Sequence, residues 1–432
     1  MTARPPLPPG PFLVVGLARS GEAIARALAA RGEVVLGTDS GSSDAVRAAA
    51  QRLSAAGVEV ALDASPQWPA GPVSTVVKSP GVPHTAPLVA AARLRGIPVL
   101  GELELAWRML DNEFIAVTGT NGKTTTTEWI GHIHRAAGRP VAVAGNVGIA
   151  LSRLVGTVDP DATVVCEASS FQLEDTERFA PDAAVLLNLE PDHLDRHGTF
   201  AAYADAKLRI FANQGAGDIA VVPAQLSLPD GVRRRLPART IRFGDPALLP
   251  TSEVSLPGPH NLENAMAASA VCLARGIDPA AVAEGLRTFG GVPHRLERIV
   301  ERKGILYVND SKATNVASTL VALRSFPGGI HLIAGGLGKA QEFGPLAPLV
   351  AERCAAVYLI GTDADSIRSA LAATGVPLVD SGTLAEAVRV AGQEAGRGEV
   401  VLLSPACASF DQFASFEARG DAFRALVSRE GA

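Results

Sequence analysis

The chain has 432 residues, which is too long for one ordinary hydrophobic core and predicts two or three domains. Hydrophobic residues make up 47% and charged residues 19%, the balance of a globular protein rather than a disordered one. The formal net charge of −5 provides no basic surplus, so we expect no nucleic-acid partner.

The cysteines and the apolar runs indicate the cellular compartment of the protein. Cys166, Cys272, Cys354 and Cys407 are scattered without a CxxC pair, which disfavours a zinc site or a disulfide framework and favours a reducing compartment. The N-terminus lacks the pattern of a signal peptide, and no apolar run is long enough to span a bilayer. We therefore expect a cytoplasmic protein with no membrane partner.

Short β-rich apolar runs alternate with helical stretches along the whole chain, which predicts an α/β protein with mainly parallel sheets. A helical stretch, GELELAWRMLDNE, suggests a first boundary near Arg108, and the Gly290–Pro293 segment is the best linker candidate. We expect three domains, comprising residues 1–107, 108–291 and 292–432. The first and third are predicted to be Rossmann-like, and the second to be a P-loop-type ATPase domain.

A glycine loop follows the first predicted strand and opens a helix. It runs from Gly16 to Gly21, and Asp39 ends the next strand, as in a dinucleotide-binding fingerprint. Ala18 replaces the middle glycine, which disfavours close approach of a pyrophosphate. The loop therefore has two interpretations: a nucleotide-diphosphate site, or a Rossmann-like fold without a ligand.

A second glycine loop, TGTNGKTT, lies between the strand FIAV and a helical stretch. Strand, glycine loop and helix in this order are typical of a phosphate-binding loop, whose amides cradle an anion. Lys123 would reach the β- and γ-phosphates of a nucleotide, and the Thr124 hydroxyl would hold Mg²⁺. The motif is incomplete because Val117 stands where the first glycine is expected, so a simple helix-capping turn is the alternative. The predicted nucleotide contacts in this loop are Gly119, Thr120, Asn121, Gly122, Lys123, Thr124 and Thr125.

Further motifs narrow the interpretation. They are GNVG (145–148), EASSFQLE (167–174), NLEPDHLDRHGTF (188–200), AKLRIF (206–211), LPGPHNLENAMAA (256–268), VPHRLE (292–297), NDSKATNVAST (309–319), AGGLGK (334–339) and LSPACASFDQF (403–413). Together with TGTNGKTT, these motifs resemble those of the Mur ligase family at matching spacing over nearly the whole chain. The segments SSFQLE and LSPACASFDQF resemble the family's D-glutamate-adding members. The resemblance implies ATP-dependent ligation of D-glutamate to UDP-N-acetylmuramoyl-L-alanine through an acyl phosphate, giving ADP and phosphate. It implies small-molecule partners, and we expect a monomer.

The resemblance also implies two Mg²⁺ ions, one held by Thr124 and Glu167 and the other by His193 and a carbamylated Lys207. An ammonium about 4 Å from Mg²⁺ would be repelled by roughly 8 kcal/mol at an effective dielectric constant near 20. A carbamate reverses the sign and offers the oxygen ligands that Mg²⁺ prefers. Lys207 must then be neutral, at least transiently, to react with CO₂. The alternatives are a solvent-exposed acid at Glu167 and a solvated lysine on a helix at Lys207.

His193 and His197 are four residues apart and would share a helical face. A zinc site would need further ligands, which the sequence does not offer. We expect a surface role for His197.

Substrate contacts are likewise implied by the resemblance. The predicted UDP-substrate residues are Arg19, Ser20, Asp39, Ser40, Gly81, Asn146 and His193; Asn264, Arg295 and Asp310 are predicted to contact ATP; and Lys312, Thr314, Lys339, Ser409, Phe410 and Phe416 are predicted to bind D-glutamate. Lys123, His193, Lys207 and Arg295 are expected to be catalytic. Domain closure around ATP is expected, with hinges near Arg108 and Gly291.

Two other functions remain open at this level. Folylpolyglutamate synthase belongs to the same superfamily, but the UDP-type first domain and SSFQLE argue against it. A non-catalytic NAD-binding protein is suggested by the first glycine loop, but the altered fingerprint and the TGTNGKTT loop argue against it.

Overall fold

The computed structural model is an α/β protein that divides into two compact units, Met1–Phe289 and Gly290–Ala432. The residues it describes are 4–41, 43–62, 67–226, 239–244, 254–256, 258–338 and 341–429. Within these ranges, no helix is both long and apolar enough to cross a membrane. The division at residue 290 falls within the segment that the sequence favours as a linker.

The first sheet is parallel and has the strand order β3-β2-β1-β4-β5. Its elements are β1 (Phe12–Val15), α1 (Arg19–Ala30), β2 (Val35–Asp39), α2 (Asp44–Ala55), β3 (Glu59–Leu62), β4 (Thr75–Lys78), α3 (Pro87–Leu94), β5 (Val99–Gly101) and α4 (Glu102–Met109). Strands β1 and β4 are buried throughout, as expected for parallel strands covered on both faces. Strands β2 and β3 are added on one side of β1, and β4 and β5 on the other, so the winding direction of the sheet reverses between β1 and β4. A ligand crevice is expected at the carboxyl ends of these two strands.

The second sheet is also parallel and has the order β11-β10-β9-β6-β8-β7. Its elements are β6 (Phe114–Thr118), α5 (Lys123–Ala136), β7 (Val141–Gly145), β8 (Thr163–Glu167), α6 (Ser170–Leu173), β9 (Ala183–Leu186), α7 (Leu194–His197), α8 (Phe200–Leu208), β10 (Ile219–Pro223), β11 (Thr240–Phe243), α9 (Pro259–Ala274) and α10 (Pro279–Thr288). Apolar cores cover both faces, and strands β6, β8 and β9 are completely buried between them. The loops after β6 and β8 therefore emerge side by side from a rigid support.

The third sheet forms the centre of the second unit and has the order β12-β13-β17-β14-β15-β16. Its elements are β12 (Glu297–Arg302), β13 (Ile305–Asn309), α11 (Val316–Arg324), β14 (Ile330–Gly335), α12 (Ala347–Arg353), β15 (Cys354–Ile360), α13 (Ala364–Leu371), β16 (Leu378–Gly382), α14 (Leu384–Glu394), β17 (Val400–Leu403) and α15 (Phe416–Arg429). The sheet is parallel except at its edge, where β12 pairs antiparallel with β13.

The predicted α/β architecture with mainly parallel sheets is confirmed, and the differences are local. Strand β12 escaped prediction because its sequence, ERIVER, carries charges at a sheet edge where two of its six residues are exposed and none is fully buried. The stretch predicted as one helix, GELELAWRMLDNE, begins in the structure as the last residue of β5, and its helix spans only Glu102–Met109.

Glu104 is a fully buried carboxylate that fixes the turn after α6. It accepts hydrogen bonds from the backbone amides of Glu177, Arg178 and Phe179 at 2.9–3.1 Å, and it pairs with Arg108 at 2.7 Å. Replacing Glu104 by Ala leaves these donors unpaired, so we expect a loss of about 3–5 kcal/mol in the free energy of unfolding.

Urea unfolding followed by tryptophan fluorescence measures this loss, because all three tryptophans lie in the unit up to Phe289. The matched control is Glu284→Ala, which breaks an exposed pair with Arg287 and should cost about 0.5 kcal/mol or less. Equal losses of unfolding free energy in Glu104→Ala and Glu284→Ala would contradict the structural role assigned to Glu104.

Candidate functional site

A cavity of about 790 Å³ opens at the carboxyl ends of β1, β2 and β4. Its lining includes six of the seven residues predicted to contact the UDP substrate: Arg19, Ser20, Asp39, Ser40, Gly81 and Asn146. The loop from Ser79 to Pro83 forms one wall. The seventh predicted residue, His193, is not among the lining residues.

The fingerprint loop needs glycine at both of its ends, Gly16 and Gly21, because neither position has room for a side chain. Gly16 has φ +89°, and a Cβ at Gly21 would lie 1.8 Å from the Gly16 carbonyl oxygen. Asp39 fixes the loop because its carboxylate accepts hydrogen bonds from the amides of Leu17 (2.6 Å) and Gly41 (2.7 Å). The Arg19 guanidinium donates to the Asn146 carbonyl at 2.7 Å and thereby joins this loop to the second sheet.

The second glycine loop joins β6 to α5, as the sequence predicts. Gly119 and Gly122 adopt positive φ values of 157° and 81°. The Lys123 ammonium donates to the carbonyls of Gly119 (2.9 Å) and Thr120 (2.8 Å), so it folds back over the loop. A nucleotide phosphate would compete with these carbonyls for the Lys123 ammonium. It would also accept hydrogen bonds from the backbone amides at the start of α5.

The predicted adenine-side residue, Asn264, contacts this loop from α9. A Cβ at Gly122 would lie 2.2 Å from the Asn264 side-chain oxygen, and the positive φ of Gly122 adds strain for any other residue. We expect Gly122→Ala to weaken ATP binding at least about tenfold by displacing the loop, as measured by calorimetric titration. Gly138→Ala is the control, since Gly138 also has positive φ but its added Cβ would meet nothing within 4 Å. Comparable losses in both variants would contradict this prediction.

Thr124, Glu167 and Asn146 form a chain of hydrogen bonds. The Thr124 hydroxyl donates to one Glu167 oxygen at 2.7 Å, and the Asn146 amide donates to the other at 2.9 Å. Glu167 is buried, which excludes the alternative of a solvent-exposed acid at the end of β8. A hydroxyl beside a carboxylate is the oxygen donor set that a hard cation such as Mg²⁺ prefers, so these residues fit the metal that the sequence predicts.

Lys207 lies in α8 and is only 2% exposed, which excludes a solvated lysine. Its ammonium donates to the Gly119 carbonyl at 2.7 Å and lies 4.7 Å from the centre of the Tyr203 ring. The same carbonyl accepts from Lys123, so two amines share one oxygen. Burial, reinforced by the charge of Lys123, lowers the pKa of Lys207 to about 7. A neutral amine is therefore accessible near neutral pH.

The two histidines have opposite environments. His193 precedes α7 with φ 51°, and its side chain is 49% exposed beside the ring of Phe171. The prediction of a surface role for His197 is wrong, because its side chain is only 4% exposed, stacks on Phe171 and hydrogen-bonds Ser170 at 3.0 Å. His197 ends α7 and packs against two residues of α6, a contact that its own helical spacing does not predict.

In the second unit, the carboxylate predicted to contact the ATP ribose is buried at the end of β13. Asp310 accepts from the Ser404 hydroxyl (2.8 Å) and from the Leu296 amide (3.1 Å). Burial raises the pKa of Asp310 to about 6. Arg295, predicted to reach the ATP phosphates, is exposed in the adjoining turn.

The described residues predicted to bind D-glutamate follow β13 and β17, which are neighbours in the third sheet. Lys312 and Thr314 are half-buried after β13, and Phe416 begins α15. Ser409 is buried, and its hydroxyl has no hydrogen-bond partner among the described residues. Phe410 is exposed. Lys339 lies outside the described residues.

Arg419 escaped sequence prediction, although it organises this part of the second unit. Its buried guanidinium donates to the carbonyls of Ser311 (2.9 Å), Cys407 (3.0 Å) and Ala408 (3.3 Å). It therefore ties the segment before Lys312 to the segment before Ser409. An arginine in a helical sequence is usually solvated, and no local pattern distinguishes this one.

Comparisons with known proteins bear on the whole chain. The Mur ligase middle domain matches residues 117–247, and the Mur ligase glutamate ligase domain matches residues 294–407. The UDP-N-acetylmuramoylalanine--D-glutamate ligase of Pelotomaculum thermopropionicum is 44% identical over 439 residues, covering 96% of both chains. The enzyme of the same name from Acidobacterium capsulatum is 42% identical over 442 residues, covering 96% of this chain and 95% of its own.

A solved structure shows the same fold at lower identity. The UDP-N-acetylmuramate-alanine ligase of Thermotoga maritima superposes with a TM-score of 0.54 and 20% identity, over 97% of this chain and 99% of its own. The phosphate loop, the adjacent cavity and the long match to the two curated ligases lead to one assignment: this chain is a member of the Mur ligase family.

Proposed function

We propose that this protein ligates D-glutamate to UDP-N-acetylmuramoyl-L-alanine with ATP, forming ADP and phosphate, in peptidoglycan precursor synthesis. The observation that carries the proposal is the position of Asn146. Its side chain donates to Glu167 beside the phosphate loop, its carbonyl accepts from Arg19, and it lines the cavity of the first sheet. A substrate bound in that cavity would therefore extend towards the γ-phosphate of a nucleotide on the loop.

The reaction needs an activated carboxylate, because oxide is a poor leaving group. We propose that the substrate carboxylate attacks the γ-phosphorus of ATP, releasing ADP and forming an acyl phosphate. The amine of D-glutamate then attacks the acyl carbon, the bond from this carbon to the phosphate oxygen breaks so that phosphate departs, and the new amide nitrogen loses a proton. Lys123 offers positive charge to the transferring phosphoryl group, and Arg295 is proposed to add to it. No side chain is assigned as a nucleophile, so we propose no covalent enzyme intermediate.

Two Mg²⁺ ions are proposed at the phosphate loop, and when bound they would neutralise charge on the phosphates. Thr124 and Glu167 would hold the first. His193 and a carbamate on Lys207 would hold the second. The lowered pKa of Lys207 supports the carbamate, since a neutral amine is the form that adds to CO₂. Thr124 and Glu167 also orient each other by their hydrogen bond.

The remaining assignments are part of the same proposal. Residues 1–107 would form a Rossmann-like domain for the UDP substrate, 108–291 a P-loop-type ATPase domain, and 292–432 a Rossmann-like domain for D-glutamate. Asn264 and Asp310 are proposed to contact the adenine and ribose of ATP. The amino-acid site is proposed to include Lys312, Thr314, Lys339, Ser409, Phe410 and Phe416. We propose a cytoplasmic monomer that closes around ATP.

The decisive experiment measures release of ADP and phosphate with UDP-N-acetylmuramoyl-L-alanine, ATP and Mg²⁺. It compares D-glutamate, L-glutamate and no amino acid. We expect release that requires both the UDP substrate and D-glutamate. Release with another amino acid would move the assignment to a different ligase of the family, and AMP as product or an acid-stable phosphoenzyme would overturn the acyl-phosphate mechanism. Turnover with folate and L-glutamate instead would establish the folylpolyglutamate alternative.

A further inference from the structure

A cluster of charged side chains joins the cavity wall of the first sheet to the helices that flank His193. We call it the charged cluster; its members are Lys78, His84, Glu174, Asp175 and Arg196. None of them has a place in the proposed chemistry. Lys78 and His84 flank the wall loop Ser79–Pro83, whereas the other three follow α6 or lie in α7.

One end of the charged cluster is a buried ion pair. Lys78, at the end of β4, is completely buried, and its ammonium lies 2.7 Å from the Asp175 carboxylate. The same ammonium donates to the Val82 carbonyl at 2.9 Å. Lys78 therefore holds both ends of the wall loop and anchors them to the segment after α6.

The other end is the Arg196 guanidinium, which lies in α7, three residues after His193. It donates to Glu174 at 2.7 Å and to the carbonyls of Pro80 and Val82 at 3.3 Å each. It also lies 4.6 Å from the centre of the Phe171 ring, against which the His193 ring packs at 4.8 Å. The Arg196 guanidinium thus contacts the cavity wall, Glu174 after α6, and the Phe171 ring that supports His193.

The charges of the cluster are already balanced. His84 and the carboxylates of Glu174 and Asp175 lie close enough together to resemble a metal site. However, Lys78 and Arg196 supply one positive charge for each of the two carboxylates, at 2.7 Å in both pairs. Burial opposes ionisation of Glu174, but hydrogen bonds from His84 and Arg196 outweigh it and lower its pKa to about 2. The carboxylates are therefore engaged in joining two segments, and a further cation would meet two positive groups.

The geometry points to Arg196 as a positioning residue that couples the substrate-cavity wall to the segment carrying His193. The inference rests on the proposed function, in which the wall loop contacts the UDP substrate and His193 contacts Mg²⁺. Because Arg196 contacts both segments, loss of its planar group loosens the wall loop, which Lys78 still anchors, and α7 together. Arginine suits this role better than lysine, since its fork serves a carboxylate and two carbonyls at once.

The test replaces Arg196 by Lys, which keeps the charge but removes the fork. We expect KM for UDP-N-acetylmuramoyl-L-alanine and the half-saturating Mg²⁺ concentration each to rise about tenfold, the effect of losing hydrogen bonds to a charged group. KM for D-glutamate should change less than twofold. Calorimetric titration of the UDP substrate without ATP gives a second readout, a roughly tenfold weaker Kd.

Arg178→Lys is the matched control, since Arg178 is exposed and pairs only loosely with Glu177 at 3.9 Å. Glu174→Gln supplies an independent variant, with the same two shifts expected at about threefold, and the double variant should be no worse than Arg196→Lys alone. Unchanged KM, Kd and Mg²⁺ dependence in Arg196→Lys, with only kcat and the unfolding midpoint lowered, would overturn the inference.

If Arg196→Lys does not fold, the same criteria apply to Glu174→Gln. A wild-type protein that neither binds nor turns over the UDP substrate would instead refute the proposed function, and the inference with it.

Discussion

Replacing Lys123 by Ala is expected to lower kcat for ADP release on the order of 10³-fold, about 4 kcal/mol of transition-state stabilisation. The Lys123 ammonium lies at the start of α5 and is held over the loop by the carbonyls of Gly119 and Thr120. In the proposed mechanism, positive charge there would stabilise the transferring phosphoryl group more than it stabilises bound ATP. The loss should therefore appear mainly in kcat, with a smaller change in KM for ATP.

Steady-state kinetics with saturating UDP substrate and D-glutamate measures this loss. Lys303→Ala is the matched control, because Lys303 is exposed in the turn between β12 and β13. A Lys123→Ala enzyme that keeps more than about a tenth of the wild-type kcat would remove Lys123 from the proposed mechanism.

Replacing Lys207 by Met is expected to lower kcat/KM at least about 10²-fold, because the carbamate oxygens proposed for the second Mg²⁺ disappear. The substitution preserves most of the buried volume, so the unfolding midpoint should not fall. Wild-type activity should decrease when dissolved CO₂ is removed and recover with bicarbonate, whereas the residual activity of Lys207→Met should not respond. Bicarbonate-independent wild-type activity would contradict the carbamate.

The pKa of Lys207 also predicts a pH dependence of stability in the metal-free protein. Its pKa is about 7 in the folded state and near 10.5 when unfolded, so between these values the unfolded chain binds more protons. The free energy of unfolding should therefore rise with pH across this window, by on the order of 4 kcal/mol from this group. Urea titrations from pH 7 to pH 10 measure the slope. Lys207→Met should remove this contribution, and an identical slope in both proteins would contradict it.

Local sequence predicted the features that depend on contiguous residues. The phosphate loop could be read directly because the strand, Gly122, Lys123 and Thr124 are adjacent in the chain, and backbone approach requires glycine there. Parallel strands were recognised from their continuous apolar runs. Of the six cavity residues, Arg19 and Ser20 lie in the fingerprint loop and Asn146 lies in the GNVG motif. The five other than Asn146 are brought to one edge by the strand order of the first sheet, whereas Asn146 follows a strand of the second sheet.

Burial of individual charges was decided by the tertiary structure alone. Glu104, Arg419 and Lys78 resemble ordinary helix or strand-end charges in the sequence, yet each is enclosed and hydrogen-bonded. The predicted surface role of His197 was wrong for the same reason, since the burial of its side chain depends on contacts with α6 rather than on its own helix.

The sequence by itself determined the α/β class, the phosphate loop and the family of this protein. Only the tertiary structure decided which charges pair across the fold: Lys78 meets Asp175 and Arg196 meets the wall loop because the end of β4 in the first sheet packs against connecting segments of the second sheet. The physical reason is that a glycine loop is specified by the conformation of neighbouring residues. The environment of a buried charge is specified by partners whose separation along the chain leaves no local pattern.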